Sequence, residues 1–127
     1  VSGYSGKPLT NKLGYKPGQY VCLISAPDWY EAALKAAAIN STNVLPADWL
    51  HGFFANQADL REFLSDVELP AISCGLWVSW PKKASKVATD LSEQTFRDLI
   101  LPLGWVDTKV AAIDGTWSGL KFLRRKA

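Results

Sequence analysis

The sequence predicts an α/β fold: one three-layer domain over residues 1 to 127, with a mostly parallel sheet that ends in an antiparallel hairpin. An apolar, strand-like run followed by a capped amphipathic stretch occurs three times, which implies parallel strands joined by right-handed crossovers. Near the end of the chain the period changes from helical to extended, as a hairpin requires. At 127 residues, 48% hydrophobic and 20% charged, the chain can bury one core without disulfides or metal, and no linker divides it.

Pro17-Gly18 reads as a turn that closes an amino-terminal extension, residues 1 to 18, expected to pack on the sheet. The run Gln19 to Ser25 reads as the first strand, and its Tyr20, Val21, Cys22, Leu23 and Ile24 suit burial on both faces. Asp28 then starts a helix, its carboxylate placed to cap free amides while Glu31 reaches back, and the alanine-rich run to Ala38 favours helix. Asn43 to Leu45 reads as a short edge strand. The second unit is strand Trp49 to Ala55, cap Asn56, and a helix whose apolar face is Leu60, Phe63, Leu64 and Val67. The third is strand Cys74 to Trp80, capping pair Asp90 and Glu93, and an apolar face of Phe96, Leu99, Ile100 and Leu103, ended by Pro102 and Gly104. Val106 to Asp114 and Trp117 to Arg124, joined at Asp114-Gly115-Thr116, read as the hairpin.

The net charge of +2 conceals segregation. Lys7, Lys12 and Lys16 make the start basic, residues 28 to 68 carry −5, Lys82, Lys83 and Lys86 form a basic loop, residues 90 to 114 carry −3, and the tail from Lys121 to Lys126 carries +4. No apolar run is long enough for a membrane helix. The first residues lack the layout of a signal peptide, so a cytoplasmic location is expected, with no membrane partner.

The run Trp80-Pro81-Lys82-Lys83, followed by Val87-Ala88-Thr89-Asp90-Leu91, Asp114, Thr116-Trp117 and Leu120-Lys121-Phe122, resembles the bacterial domain-of-unknown-function family 3052. Gly3-Tyr4-Ser5-Gly6-Lys7-Pro8-Leu9, Lys12-Leu13-Gly14 and Lys16-Pro17-Gly18 resemble that family's start. The resemblance implies a compact Rossmann-like fold and brings no assigned activity. The pattern is also similar to the sheet of class I methyltransferases, which ends in the same kind of hairpin. A dinucleotide needs glycines after the first strand for close backbone approach, whereas this chain has Ala26-Pro27-Asp28-Trp29-Tyr30, and Asp28 opposes a phosphate at the helix start. No cofactor is therefore expected.

In a parallel sheet Ser25, Asn56, Trp80 and the turn from Asp114 to Trp117 all reach the carboxyl edge, where such folds bind ligands. The candidate is a shallow pocket with Trp80 and Trp117 as apolar walls, Lys82, Lys83 and Lys86 as anion donors, and Ser25, Asn56, Ser85, Thr89 and Asp114 as polar groups. The competing reading is a solvated lysine loop balanced by Asp90, with tryptophans that cap the core. His51 is the only histidine, which excludes multi-histidine metal sites and no metal is expected. It lies about five residues before Asn56, roughly 17 Å from the carboxyl edge, and reads as a structural histidine. Cys22 and Cys74, separated by an intervening strand, read as buried thiols too far apart for a disulfide. The tail arginines are carried to the opposite edge, away from the lysine loop, so nucleic acid is disfavoured as a partner. The expected function is a Rossmann-like domain, leaning away from an enzyme. It would bind a small anionic or nucleotide-like ligand, or a protein partner, at the carboxyl edge; a reduced S-adenosylmethionine-dependent methyltransferase is the alternative, and nucleic-acid binding through the basic loop or tail is a third reading.

Overall fold

The computed structural model describes residues 9 to 126; the first eight positions of the amino-terminal extension, with their family-like motif, lie outside them. Helix α1 (Leu9–Leu13) is followed by β1 (Tyr20–Ile24), α2 (Asp28–Ala36), β2 (Asn40–Thr42), β3 (Ala47–Phe53), α3 (Gln57–Asp66), β4 (Ile72–Pro81), α4 (Glu93–Ile100), β5 (Trp105–Ala112) and β6 (Trp117–Arg124). The six strands form one sheet in the order β2-β1-β3-β4-β6-β5. The first four run parallel, and β6 inserts antiparallel between β4 and β5. The chain is thus a mixed α/β fold whose antiparallel pair lies at one edge.

Side chains alternate across each strand and divide the core into two clusters. One gathers Leu50, Leu76, Val78 and Trp80 with Leu60 of α3 and Phe96 and Ile100 of α4. Phe96 and Ile100 are fully enclosed, each worth roughly 1.5–3 kcal/mol of burial. The other cluster gathers Val21, Trp49, Phe53 and Trp77 with Leu9 and Leu13 of α1 and Tyr30 and Leu34 of α2. Residues 9 to 18 are held there because the Trp77 indole donates to the Leu13 carbonyl at 3.0 Å and the Lys12 ammonium to that of Ala112 at 2.8 Å. Gly75 makes room for this packing: a Cβ there would lie 2.7 Å from the Trp49 ring.

Several local expectations change. The short edge strand is Asn40–Thr42, not Asn43 to Leu45, and the following segment carries a cis Leu45-Pro46 bond. The cap of α2 is Pro27, so Asp28 is already helical, and Glu31 accepts from the Ser41 hydroxyl at 2.7 Å instead of closing a capping box. Asn56 caps α3 as expected, accepting from the Asp59 amide at 2.8 Å. Helix α4 starts two residues later than the Asp90–Glu93 pairing implied, at a box formed by Ser92 and Thr95. Leu103 is exposed, because the helix tightens into a 3-10 turn before Gly104, whose φ of 96° suits glycine. Cys74 is exposed, displaced by the bulge where β3 and β4 slip register between Ala47 and Trp49, while Cys22 is buried.

Candidate functional site

Hydrogen bonds to main-chain amides join the lysine loop, the start of α3 and the hairpin turn into one rim, while Ser25 lies apart at the end of β1. The Lys82 amide donates to the Thr116 carbonyl at 2.7 Å, joining the end of β4 to the hairpin turn. Asp90 caps the start of α3, accepting from the Gln57 amide at 2.8 Å, and so ties the lysine loop to Asn56. The polar side chains then shape their own loops. Ser85 Oγ donates to the Lys82 carbonyl at 2.6 Å, Thr89 Oγ1 accepts from the Leu91 amide, and one Asp114 oxygen accepts from the amides of Thr116 and Trp117. Lys86 closes its turn in a left-handed conformation. Among the described residues Lys82, Lys83 and Lys86 form no ion pair; Arg97 holds the carboxylates of Glu93 and Asp107.

The two tryptophans are not walls of one pocket. Trp80 faces Ser118 across the sheet and Pro81 faces Trp117, so an offset of one residue sends the rings to opposite faces. Trp80 packs on Phe96 at 5.2 Å, whereas Trp117 meets Phe53 edge-on at 5.1 Å in the other cluster.

A cleft that sequence reasoning missed lies at the carboxyl ends of β1 and β2. It measures about 670 Å³ and is lined by Leu23, Ala26 and Pro27, by the carboxylates of Asp28 and Glu31, and by Ser41, Thr42 and Asn43. Ser25, at the end of β1, turns the chain into it with a φ of 56°, the left-handed conformation that glycine adopts most readily. The available signal was the repeated strand-then-helix pattern, which marks the end of β1 as a ligand edge. The missing signal was the true position of β2, which brings Ser41 and Thr42 beside Glu31.

His51 lies only two residues before β3 ends, so it is nearer the carboxyl edge than the roughly 17 Å expected. Burial removes it from reach. Its Nδ1 lies 2.6 Å from the Tyr30 hydroxyl and its Nε2 2.7 Å from Ser79 Oγ, and Tyr30 meets the Tyr15 hydroxyl at 2.7 Å. His51 and Ser79 have no solvent exposure. Burial pushes the imidazole pKa down to about 3 and raises both tyrosines, so the ring is neutral and carries one proton. One neighbour therefore donates to the ring and the other accepts from it. The spacing resembles that of a nucleophile and its base, but no substrate reaches Ser79, and the chain of groups acts as a satisfied polar core.

The tail is at the amino edge, as expected. Arg124 donates to the carbonyls of Pro70 and Ile72 and lies over the Trp105 ring, while Arg125 donates to that of Leu101. Among the described residues no cluster of His, Cys, Asp and Glu could hold a metal, and no helix is long and apolar enough to cross a membrane.

No protein-family model and no curated protein matches the sequence. Among solved structures, the chain is similar to the crystal structure of ribosomal protein L11 methylase from Lactobacillus delbrueckii subsp. bulgaricus. The TM-score is 0.54 at 10% identity, over 93% of this chain and 76% of that one. At that identity the likeness concerns the fold: a methylase-like arrangement of sheet and helices.

Proposed function

We propose that the chain is a single three-layer, Rossmann-like domain that binds a small, phosphate-free, nucleoside-like ligand in the cleft beyond β1 and β2. The sheet order supports the site: the chain leaves β1 outward to β2 and returns to β3 on the other side, so the switch point lies between β1 and β3, and the cleft adjoins it from the β2 side of their shared strand β1. The observation that carries the reading is the lining of the cleft. Asp28 and Glu31 repel phosphate and accept hydrogen bonds from hydroxyls or amines, Ser41, Thr42 and Asn43 add polar partners, and Leu23, Ala26 and Pro27 offer an apolar wall. The three-layer arrangement is supported by the separation of α1 and α2 from α3 and α4 into two core clusters. Membership of family 3052 remains part of this reading, supported by the position of its Trp-Pro-Lys-Lys block at the end of β4. Calorimetry tests the proposal with adenosine, S-adenosylmethionine and ATP. Either of the first two is expected to bind better than ATP, and Asp28→Asn to weaken that binding about tenfold. Equal or tighter binding of ATP overturns it.

A second reading, a reduced S-adenosylmethionine-dependent methyltransferase, is favoured by the methylase-like fold. It differs in requiring methyl transfer from the bound ligand to an acceptor. Binding of S-adenosylmethionine without turnover on any acceptor offered supports the binding domain over the enzyme.

A further inference from the structure

The crossover from β2 to β3 must pass over β1, yet it spans only residues 43 to 46 and contains no helix. The other connections between parallel strands carry α2, α3 and α4, which cover the sheet as such crossovers normally do. On the α3 side, β1 is left with a groove of about 410 Å³ in which Ile24, Leu45, Phe63 and Val67 are only partly buried. Val44 at its rim is 63% exposed. Both backbone edges of β1 are already paired, with β2 and with β3, so an incoming segment finds a sheet face and no free ladder. A helix satisfies its own backbone and fits such a face; an added strand does not. Asp66 and Glu68 line the groove, neither is ion-paired among the described residues, and residues 28 to 68 carry −5.

We propose that this groove docks an amphipathic helix of a partner protein, with an apolar stripe in the groove and basic residues against Asp66 and Glu68. The partner helix occupies the place that a crossover helix fills elsewhere in the sheet. The groove lies on the α3 side of β1 and the ligand cleft on the α2 side, and they share only Asn43 at their common rim, so the proposal does not require the ligand.

The test uses two designed helical peptides with the same leucine stripe, one flanked by lysines and one by glutamates, titrated into the full chain by fluorescence anisotropy. The lysine peptide is expected to bind at least about tenfold tighter than the glutamate peptide, with affinity falling as salt rises. Val44→Asp and Glu68→Lys, both at exposed positions, are each expected to weaken it about tenfold without shifting Tm. Absence of binding, equal binding of the two peptides, or binding unaffected by both substitutions overturns the proposal. So does sedimentation showing a dimer that Val44→Asp dissociates, since a second copy then fills the groove.

Discussion

Acid should destabilise this protein through one residue before its carboxylates protonate. His51 has its pKa lowered by burial from 6.5 to about 3. Below pH 6.5 the unfolded chain binds a proton that the folded chain refuses, so stability falls as pH drops toward 3; above 6.5 the residue has no effect. The slope is about 1.4 kcal/mol per pH unit. From pH 6.5 to pH 5 the loss is about 2 kcal/mol, or roughly 7 °C in Tm for a chain of this length. Asp107, held low by its hydrogen bond from Arg97, loses its contribution only as pH falls below the ordinary carboxylate range, outside this window. Urea unfolding at pH 7 and pH 5 measures the effect in the native chain and in His51→Gln. The variant is expected to be less stable at pH 7, because Tyr30 and Ser79 lose the imidazole between them, yet nearly flat between the two pH values. Equal losses in both proteins would show that another group, not His51, takes up the proton.

Three further outcomes follow from local geometry. Gly75→Ala brings a Cβ within 2.7 Å of the Trp49 ring, which is locked between elements, and should cost about 1–3 kcal/mol by denaturant unfolding. Gly119→Ala meets the end of the Ile113 side chain at 2.8 Å and the fully buried Trp77 ring at 3.3 Å, and should cost less than Gly75→Ala because its shortest contact is with a rotatable methyl and not an indole. Ser25→Gly relieves the left-handed turn after β1 and should stabilise the fold by about 1 kcal/mol in the same assay. Under native conditions a thiol reagent should modify Cys74 rapidly and leave Cys22, whose burial also raises its thiol pKa, protected until unfolding.

The repeat of strand and helix was legible because each unit writes its period directly, and so was the hairpin at Asp114. Where two polar residues stood close together the sequence misled, because spacing alone does not say which helix a carboxylate serves. Asp90 looks like the cap of its own helix but caps α3, and Glu31 looks like half of a box but holds Ser41. Trp80 and Trp117 were placed at the correct edge but on the wrong faces, since the relative face of two strands depends on a one-residue register that no local signal records. The cleft beyond β1 and β2 was hidden too: its far wall, β2, is three residues long and has almost no periodicity to read.

Amide chemical shifts during titration separate the cleft beyond β1 and β2 from the basic loop. With S-adenosylmethionine or adenosine, perturbations are expected at Ser25 to Asp28 and at Ser41 to Asn43, around that cleft. Shifts that appear instead at Lys82 to Lys86, on titration with a phosphate-bearing ligand, would contradict that expectation and return the site to the basic loop.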